Sequence, residues 1–447
     1  MAQLPEELLS HICSFLRIGA GSKASSDDPD KLSTLLNISL ANRALNRAAR
    51  PHLYHTLHVI PSENLRSVLR TLSQSPETAR LVQHLYTEAW MSRSELEVTQ
   101  SQPNPAESDL RAQLLDAVDG LQVSSTLRQE IHDGVERGLE EAELSLLLCL
   151  CVNLKFWETE SCYRFEETTV PKVIREAEVN QGADGEVPTM QPLQHLREVD
   201  IAHADTEGYM ELTELEGIFQ LPALETFRGR MLKCDSLTEL SEGLRSKVKQ
   251  IYLESSLIDG FGLQTLLHAC PDVQTLSLHW GNSMVGVSRL DFDAMGDALR
   301  QHGTHVSTLR LRAGEAFTLD SNAETLPPLG DLKPLTSLRT LTVPYAALLG
   351  GSDVASEQPQ EWLQEVLPSS LKTLRVTDAN NDYWEEFDEQ LMEVLRDERF
   401  EALSTIRINR PEAFTEDAEE VGWDESGTNK FWVVLKRKPK PDAAEVV

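Results

Sequence analysis

Positive charge is what this chain is short of. Lys and Arg total 41 against 72 Asp and Glu in 447 residues, a formal net charge of −31. A surface this acidic repels phosphate backbones and anionic headgroups, so nucleic-acid or membrane binding is excluded unless a local basic patch provides it. Long apolar runs are missing too: no stretch approaches the roughly 18 consecutive apolar residues of a membrane span. Glu6 and Glu7 stand where a signal peptide would carry its positive charges. Cysteine is sparse, with six in the whole chain, too few for a disulfide framework. Cys149, Cys151 and Cys162 fall near one another, but their spacing matches no common zinc pattern. With Leu148, Leu150 and Val152 around them they read as buried thiols. A soluble, intracellular protein of the cytoplasm or nucleus is expected.

Catalytic patterns are absent as well. Gly19-Ala-Gly21-Ser-Lys23 lacks the spacing of a phosphate loop and follows a helical run instead of a strand. No G-x-S-x-G elbow occurs. His52, His55 and His58 step by three, yet no carboxylate pattern completes a metal site. Asn37-Ile-Ser39 fits a glycosylation sequon but falls inside an amphipathic helix. The expectation is a chain without cofactor, metal or bond chemistry of its own.

What is present is helical spacing first and a strand repeat after it. Pro5, then Glu6 and Glu7, open a helix whose apolar residues are Leu8, Leu9, Ile12, Phe15 and Leu16. The polar run Gly19 to Asp30 reads as a loop. A second helix is expected from Lys31 through Leu45, ending in Arg43, Arg47 and Arg50 with Pro51 as its breaker. The segment 51–59 then alternates as a strand would.

Beyond it one unit recurs: an apolar residue, two others, an apolar, one other, an apolar. Its copies begin at Leu196, Val248, Val273, Val306, Leu338, Leu371 and Leu403, with weaker ones at Val82, Leu154 and Leu224. From Leu196 the copies lie about 24–33 residues apart, the range of leucine-rich repeats and somewhat beyond. Alternation turns the last two apolar residues inward and their neighbours outward. Helices are expected between strands, as at Gly262–Cys270 and Glu361–Leu367, and stacking must bury both apolar faces. Glu254-Ser-Ser, His279-Trp-Gly and Arg312-Ala-Gly replace the usual Asn or Cys after the strand, so the array should be irregular. Residues 88–150 interrupt it with helical runs, and the acidic stretch 378–401 carries Trp384, Phe387, Leu391, Val394 and Leu395 at helical spacing. A last strand near 430–436 should pair with the open edge of the array. Lys436 to Lys440 forms a basic cluster that either addresses the nucleus or aids solubility.

The first 59 residues resemble an F-box, particularly the fungal form. The residues that carry this are Leu4-Pro5-Glu6-Glu7-Leu8-Leu9 with Ile12 and Leu16, then Leu36 with Ser39-Leu40-Ala41-Asn42-Arg43-Ala44-Leu45, then Pro51-x-Leu53-Tyr54. The chain departs from the pattern in a loop of about a dozen residues between the first two helices, in Ala41 where Val is common, and in Leu45 where an aromatic ring is common. Losing a ring's contact weakens an interface by about 1–2 kcal/mol.

With the array behind it, the resemblance implies the layout of F-box proteins with C-terminal leucine-rich repeats. The expected fold is α/β: a short helical F-box over residues 1–59, then an irregular solenoid over 60–447. The resemblance also implies docking on the SKP adaptor, with a cullin reached through the adaptor, in an SCF ubiquitin ligase whose protein substrate the repeats recognise. Carried over position by position, the adaptor-facing residues are Leu4, Pro5, Leu8, Ile12, Leu16, Leu36 and Leu40. Packing of these leucines on the first repeat is the alternative, as is an interaction scaffold outside any ligase. A site built from the 88–150 segment would make the chain an enzyme instead, though no triad or ligand set is visible there.

A substrate would meet the outward positions of the strands. Four arginines gather there in an otherwise acidic chain: Arg310, Arg312, Arg375 and Arg407. On strands about 4.8 Å apart, guanidinium groups can grip a carboxylate-rich or phosphorylated segment. Pairing with the plentiful acids of the same face is the plainer alternative.

Overall fold

A computed structural model describes residues 4–17, 28–99, 104–162, 164–179, 191–205, 208–235, 238–280, 291–313, 327–350, 362–377, 384–410, 418–425 and 432–439. Gly19–Lys23, residues 378–383 and the tail from 440 lie outside them. The fold is mixed α/β, built on a large and mostly parallel sheet. No described helix is long and apolar enough to cross a membrane. The chain divides into two units, Met1–Asp205 with Glu214–Arg228, and Thr206–Thr213 with Gly229–Val447.

The first unit opens with three helices, α1 (Glu6–Ser14), α2 (Asp28–Ala41) and α3 (Arg43–Leu53). Two expectations change here. The run from Lys31 to Pro51 is two helices, because Asn42 is extended (φ −166°) and its side chain accepts the Leu45 N–H at 2.9 Å as an N-cap. Pro51 lies inside α3 and does not break it. Its ring removes the N–H that would otherwise bond the Arg47 carbonyl, and the helix ends two residues later at Leu53.

Strands follow at Thr56–Val59, His84–Thr87, Phe156–Ser161, Glu198–His203 and Thr226–Arg230, neighbours in that order. The segment between the second and third carries helices Arg93–Val98, Ser108–Asp119, Ser125–Arg137 and Glu140–Leu150. The last is apolar nearly all round and almost wholly buried. Its acids crowd the N-terminal turn, where the helix dipole favours them. Glu140 and Glu141 accept the backbone N–H groups of Met91 and Arg93 at 3.0 Å, and Glu143 pairs with Arg66 at 2.9 Å.

In the second unit six parallel strands stand in chain order: Gln250–Glu254, Thr275–Trp280, Thr308–Ala313, Thr340–Pro344, Thr373–Thr377 and Thr405–Ile408. Val433–Arg437 pairs antiparallel with the last of them, and Trp423–Glu425 pairs antiparallel beyond that. Three short strands, Met210–Glu211, Leu232–Cys234 and Leu257–Ile258, make a second small sheet.

The repeat read from sequence has a hydrogen-bonded counterpart. Just before each strand, one residue donates its N–H to the equivalent carbonyl one repeat earlier. Gln274 donates to Lys249, Ser307 to Gln274, Arg339 to Ser307 and Lys372 to Arg339, each at 2.8 Å. In the first unit Lys155 donates to Gln83 and Arg197 to Lys155 at the same distance. The apolar triplets are the core: Val273, Leu276 and Leu278, Val306, Leu309 and Leu311, and Leu371, Leu374 and Val376 are all buried. Helices such as Gly260–Ala269 and Phe292–His302 close the inner side, burying Leu263, Leu266, Phe292 and Leu299. The first begins two residues earlier than expected because Asp259 caps it through the Gly262 N–H at 2.7 Å. Gly262 is obligatory there, since a Cβ would stand 1.8 Å from the Cys234 carbonyl oxygen. The helix expected over 361–367 is only Leu363–Val366.

Candidate binding surfaces

The three N-terminal helices enclose a very small core of Cys13, Leu35, Ala48 and Ala49, with Leu9, Leu16, Ile38 and Leu53 packed on it. Asn46 Nδ2 ties α3 to α2 through the Ser39 carbonyl at 3.0 Å, and Arg47 reaches Glu6 at 3.2 Å. So small a core cannot accommodate every apolar residue of α1 and α2. Leu4, Leu8, Ile12, Phe15, Leu32, Leu36 and Leu40 are left exposed, Leu40 at 74% and Phe15 at 72%.

Of the residues expected to face a partner, Leu4, Pro5, Leu8, Ile12, Leu36 and Leu40 are exposed, whereas Leu16 is half-buried against the core. Phe15 and Leu32 were not anticipated. Their signal was there in the sequence: α1 carries two apolar stripes, and one is enough to pack a short helix. Fully burying a leucine is worth about 1.5–3 kcal/mol, so seven exposed large apolar side chains offer substantial energy to whatever covers them.

Behind α3, the histidines stepping by three separate. His52 faces the Ser10 hydroxyl at 3.1 Å, and His58 stacks on Tyr86 with centroids 4.5 Å apart. His55 meets the edge of His84, also at 4.5 Å. Burial holds both His55 and His84 down to about 4. Their mutual repulsion adds to this for His55, and Arg17 and Lys155 add to it for both. Elsewhere, His132, Asp133 and Glu136 bring donor atoms within 4.8 Å of one another on one helix, but both acids are exposed and the grouping follows from helical spacing. Cys149, Cys151 and Cys162 are buried free thiols, and burial raises all three, Cys151 to about 12. A thiol held protonated in this way is a poor nucleophile and a poor metal ligand.

The second surface is the outward face of the second unit's sheet. Strand register sets Tyr252, Ser277, Arg310, Thr342, Arg375 and Arg407 side by side, with His279 and Arg312 paired in a parallel row. Thr275, Thr308, Thr340, Thr373 and Thr405 form a third row. The four predicted arginines are therefore brought together. Among the described residues none of them makes an ion pair or side-chain hydrogen bond, so no described acid supplies the self-pairing of the plainer alternative. Arg375 lies with its guanidinium 4.1 Å above the Trp432 ring, and its Nε is buried without a hydrogen-bond partner. Burial, then Arg312, Arg407 and Arg310, make Arg375 easier to deprotonate than a free arginine. Loss of water around the group is the larger cause and repulsion from the three neighbouring cations adds to it.

No protein-family model and no curated protein matches the chain. Its surfaces must be read on their own chemistry. Among the described residues these are two: an apolar helical face and a cationic sheet face. The C-terminal basic cluster is largely engaged in structure. Arg437 donates to the carbonyls of Leu403 and Phe400 at 2.8 and 3.0 Å and lies over Trp423, while Lys438 pairs with Asp424. Lys440 lies outside the described residues.

Proposed function

We propose that residues 1–59 form an F-box that docks on the SKP adaptor, and that residues 60–447 form an irregular leucine-rich-repeat solenoid that captures a protein substrate. The chain is then a substrate-recognition subunit of an SCF ubiquitin ligase in the cytoplasm or nucleus, reaching the cullin through the adaptor. The observation that carries this reading is the partition of leucines in α1 and α2. A minimal core takes Cys13, Leu35, Ala48 and Ala49, with Leu9, Leu16, Ile38 and Leu53 against it, and the remaining large apolar residues stay outside as a partner site. The stacked strands, each paired with the equivalent strand one repeat away, support the solenoid. Such a receptor performs no bond chemistry. It raises the effective concentration of a substrate near a charged conjugating enzyme.

The test is co-expression with the SKP adaptor, comparing wild type with Leu8→Asp/Ile12→Asp/Leu40→Asp on a sizing column. Co-elution lost in a folded variant, with a cullin recovered alongside the wild type, is the expected result. A folded wild type that elutes without the adaptor would replace this reading with an interaction scaffold outside any ligase.

A further inference from the structure

Arg50 carries a charge that the fold meets with no anion among the described residues. It stands half-buried in the last turn of α3. Its side-chain partners are two hydroxyls on the helices that follow the first strand, Leu65–Gln74 and Pro76–Ala79. Arg50 Nη2 donates to Ser75 Oγ at 3.0 Å and to Thr78 Oγ1, and the two hydroxyls bond each other at 2.7 Å. Arg47, one turn earlier, reaches the carboxylate of Glu6, and Arg66 reaches that of Glu143. A half-buried guanidinium on neutral acceptors alone has lost water without gaining an opposite charge. Ser75 stands just before the Pro76–Ala79 helix, where a serine hydroxyl ordinarily caps the backbone. Here no such cap forms, and the hydroxyl is turned to Arg50. Thr78 is buried, whereas Ser75 is partly exposed among exposed Gln74, Pro76 and Glu77. Of the 21 prolines in the chain, only Pro76 follows a serine or threonine.

We propose that Ser75 is a phosphorylation site for a proline-directed protein kinase, and that Arg50 binds the phosphoryl group once it is in place. The kinase transfers the γ-phosphoryl group of ATP. The bond from the γ-phosphorus to its bridging oxygen breaks, and a bond from that phosphorus to Ser75 Oγ forms. The hydroxyl proton passes to the catalytic carboxylate of the kinase, and ADP leaves. The product carries close to two negative charges and three acceptor oxygens, within reach of the Arg50 guanidinium. A neutral hydrogen bond between α3 and the next helices becomes a charge-assisted one. The modification therefore tightens the joint between the three N-terminal helices and the helices beyond strand Thr56–Val59. Two neighbouring hydroxyls are poorer acceptors of the group: Thr78 is closed to an enzyme by burial, and Ser73 donates to the Leu69 carbonyl at 2.7 Å and precedes no proline. Glu77 is exposed, so solvent screens its repulsion of the new charge. None of these residues belongs to the exposed apolar face or to the arginine face, and the proposal holds whether or not an adaptor docks.

The experiment uses the full chain, unmodified and with phosphoserine installed at position 75 during translation, as wild type, Arg50→Gln and Arg50→Lys. Phosphorus NMR should place the phosphoserine titration about one pH unit lower in wild type than in Arg50→Gln. Arg50→Lys should fall between them, because lysine keeps the charge and loses the fork. Should Arg50→Gln not fold, Arg50→Lys carries the comparison. Phosphorylation of the wild type should also slow hydrogen exchange at the Tyr54 and Ala79 amides, which bond the carbonyls of Arg50 and Ser75, by roughly ten-fold. A titration at the same pH in all the folded variants, or faster exchange in the phosphorylated wild type, would overturn the role of Arg50. The unmodified folded chain, incubated with ATP and a panel of proline-directed kinases, should gain a phosphoryl group that tandem mass spectrometry maps to Ser75. Pro76→Ala should lose it. A chain left unlabelled at Ser75, or labelled there equally as Pro76→Ala, would overturn the acceptor assignment.

Discussion

Arg410 and Asp388 form an ion pair at 2.8 Å with each side chain only 1% exposed. Two charges taken this far from water are held by each other, and removing one leaves the other uncompensated. Asp388→Ala should therefore cost about 3–5 kcal/mol in urea unfolding, whereas Glu6→Ala, which breaks the exposed pair with Arg47, should cost less than about 1 kcal/mol. A second prediction concerns pH. His55 and His84 are held near 4, below the ordinary 6.5, so they stay neutral in the fold while the unfolded chain takes up protons first. The stability this confers is complete above pH 6.5 and is lost as pH falls toward 4. Glu141 and Glu143, raised by burial, act in the opposite sense, because the folded state binds their protons first on acidification. Urea midpoints measured between pH 7 and 4 should fall in wild type and fall less in His55→Gln/His84→Gln. An equal fall in both would show that the imidazoles are not responsible.

At the scale of the element, α1 and α2 separate stability from binding. Leu35 is fully enclosed in the helical core, so Leu35→Ala should destabilise the N-terminal helices by about 2–5 kcal/mol. Phe15→Ser and Leu40→Ser should change unfolding by less than about 0.5 kcal/mol, since both side chains already face solvent. Hydrogen exchange of the α2 amides reads the first effect, and urea midpoints read the second. The heptad-like spacing of these helices was legible in the sequence, but the side each leucine takes was not. With apolar residues at Leu8, Leu9, Ile12, Phe15 and Leu16, either stripe of α1 fits the period, and the choice is made by Ala48 and Ala49 of α3, small enough to admit Leu9 and Leu16. Asn42 was passed over for a related reason. Its capping role depends on one backbone residue turning extended, which the surrounding apolar pattern does not register.

For the whole chain, the strand edge is the exposed liability. Thr405–Ile408 would end the second unit's parallel ladder with open N–H and C=O groups, and Val433–Arg437 covers it while burying Val433 and Leu435. A chain ending at residue 421 should self-associate, and sedimentation velocity should show species larger than the monomer. A monomeric truncated chain would mean that the edge is blunted in some other way.

The sequence by itself determined where the repeat strands fall and which of their residues are buried, because alternation is a property of neighbouring residues and the pleat converts it directly into inside and outside. Even the weak copies at Val82, Leu154 and Leu224 lead into strands. The short strands Met210–Glu211, Leu232–Cys234, Leu257–Ile258 and Trp423–Glu425 carry no such pattern. Tertiary structure alone decided what the outward residues meet. Register lined up Arg310, Arg375 and Arg407, a tryptophan more than fifty residues further along the chain came to lie under Arg375, and no described acid reached any of them. Those are relations between strands distant in sequence. They exist only once the backbone ladder has set one repeat against the next.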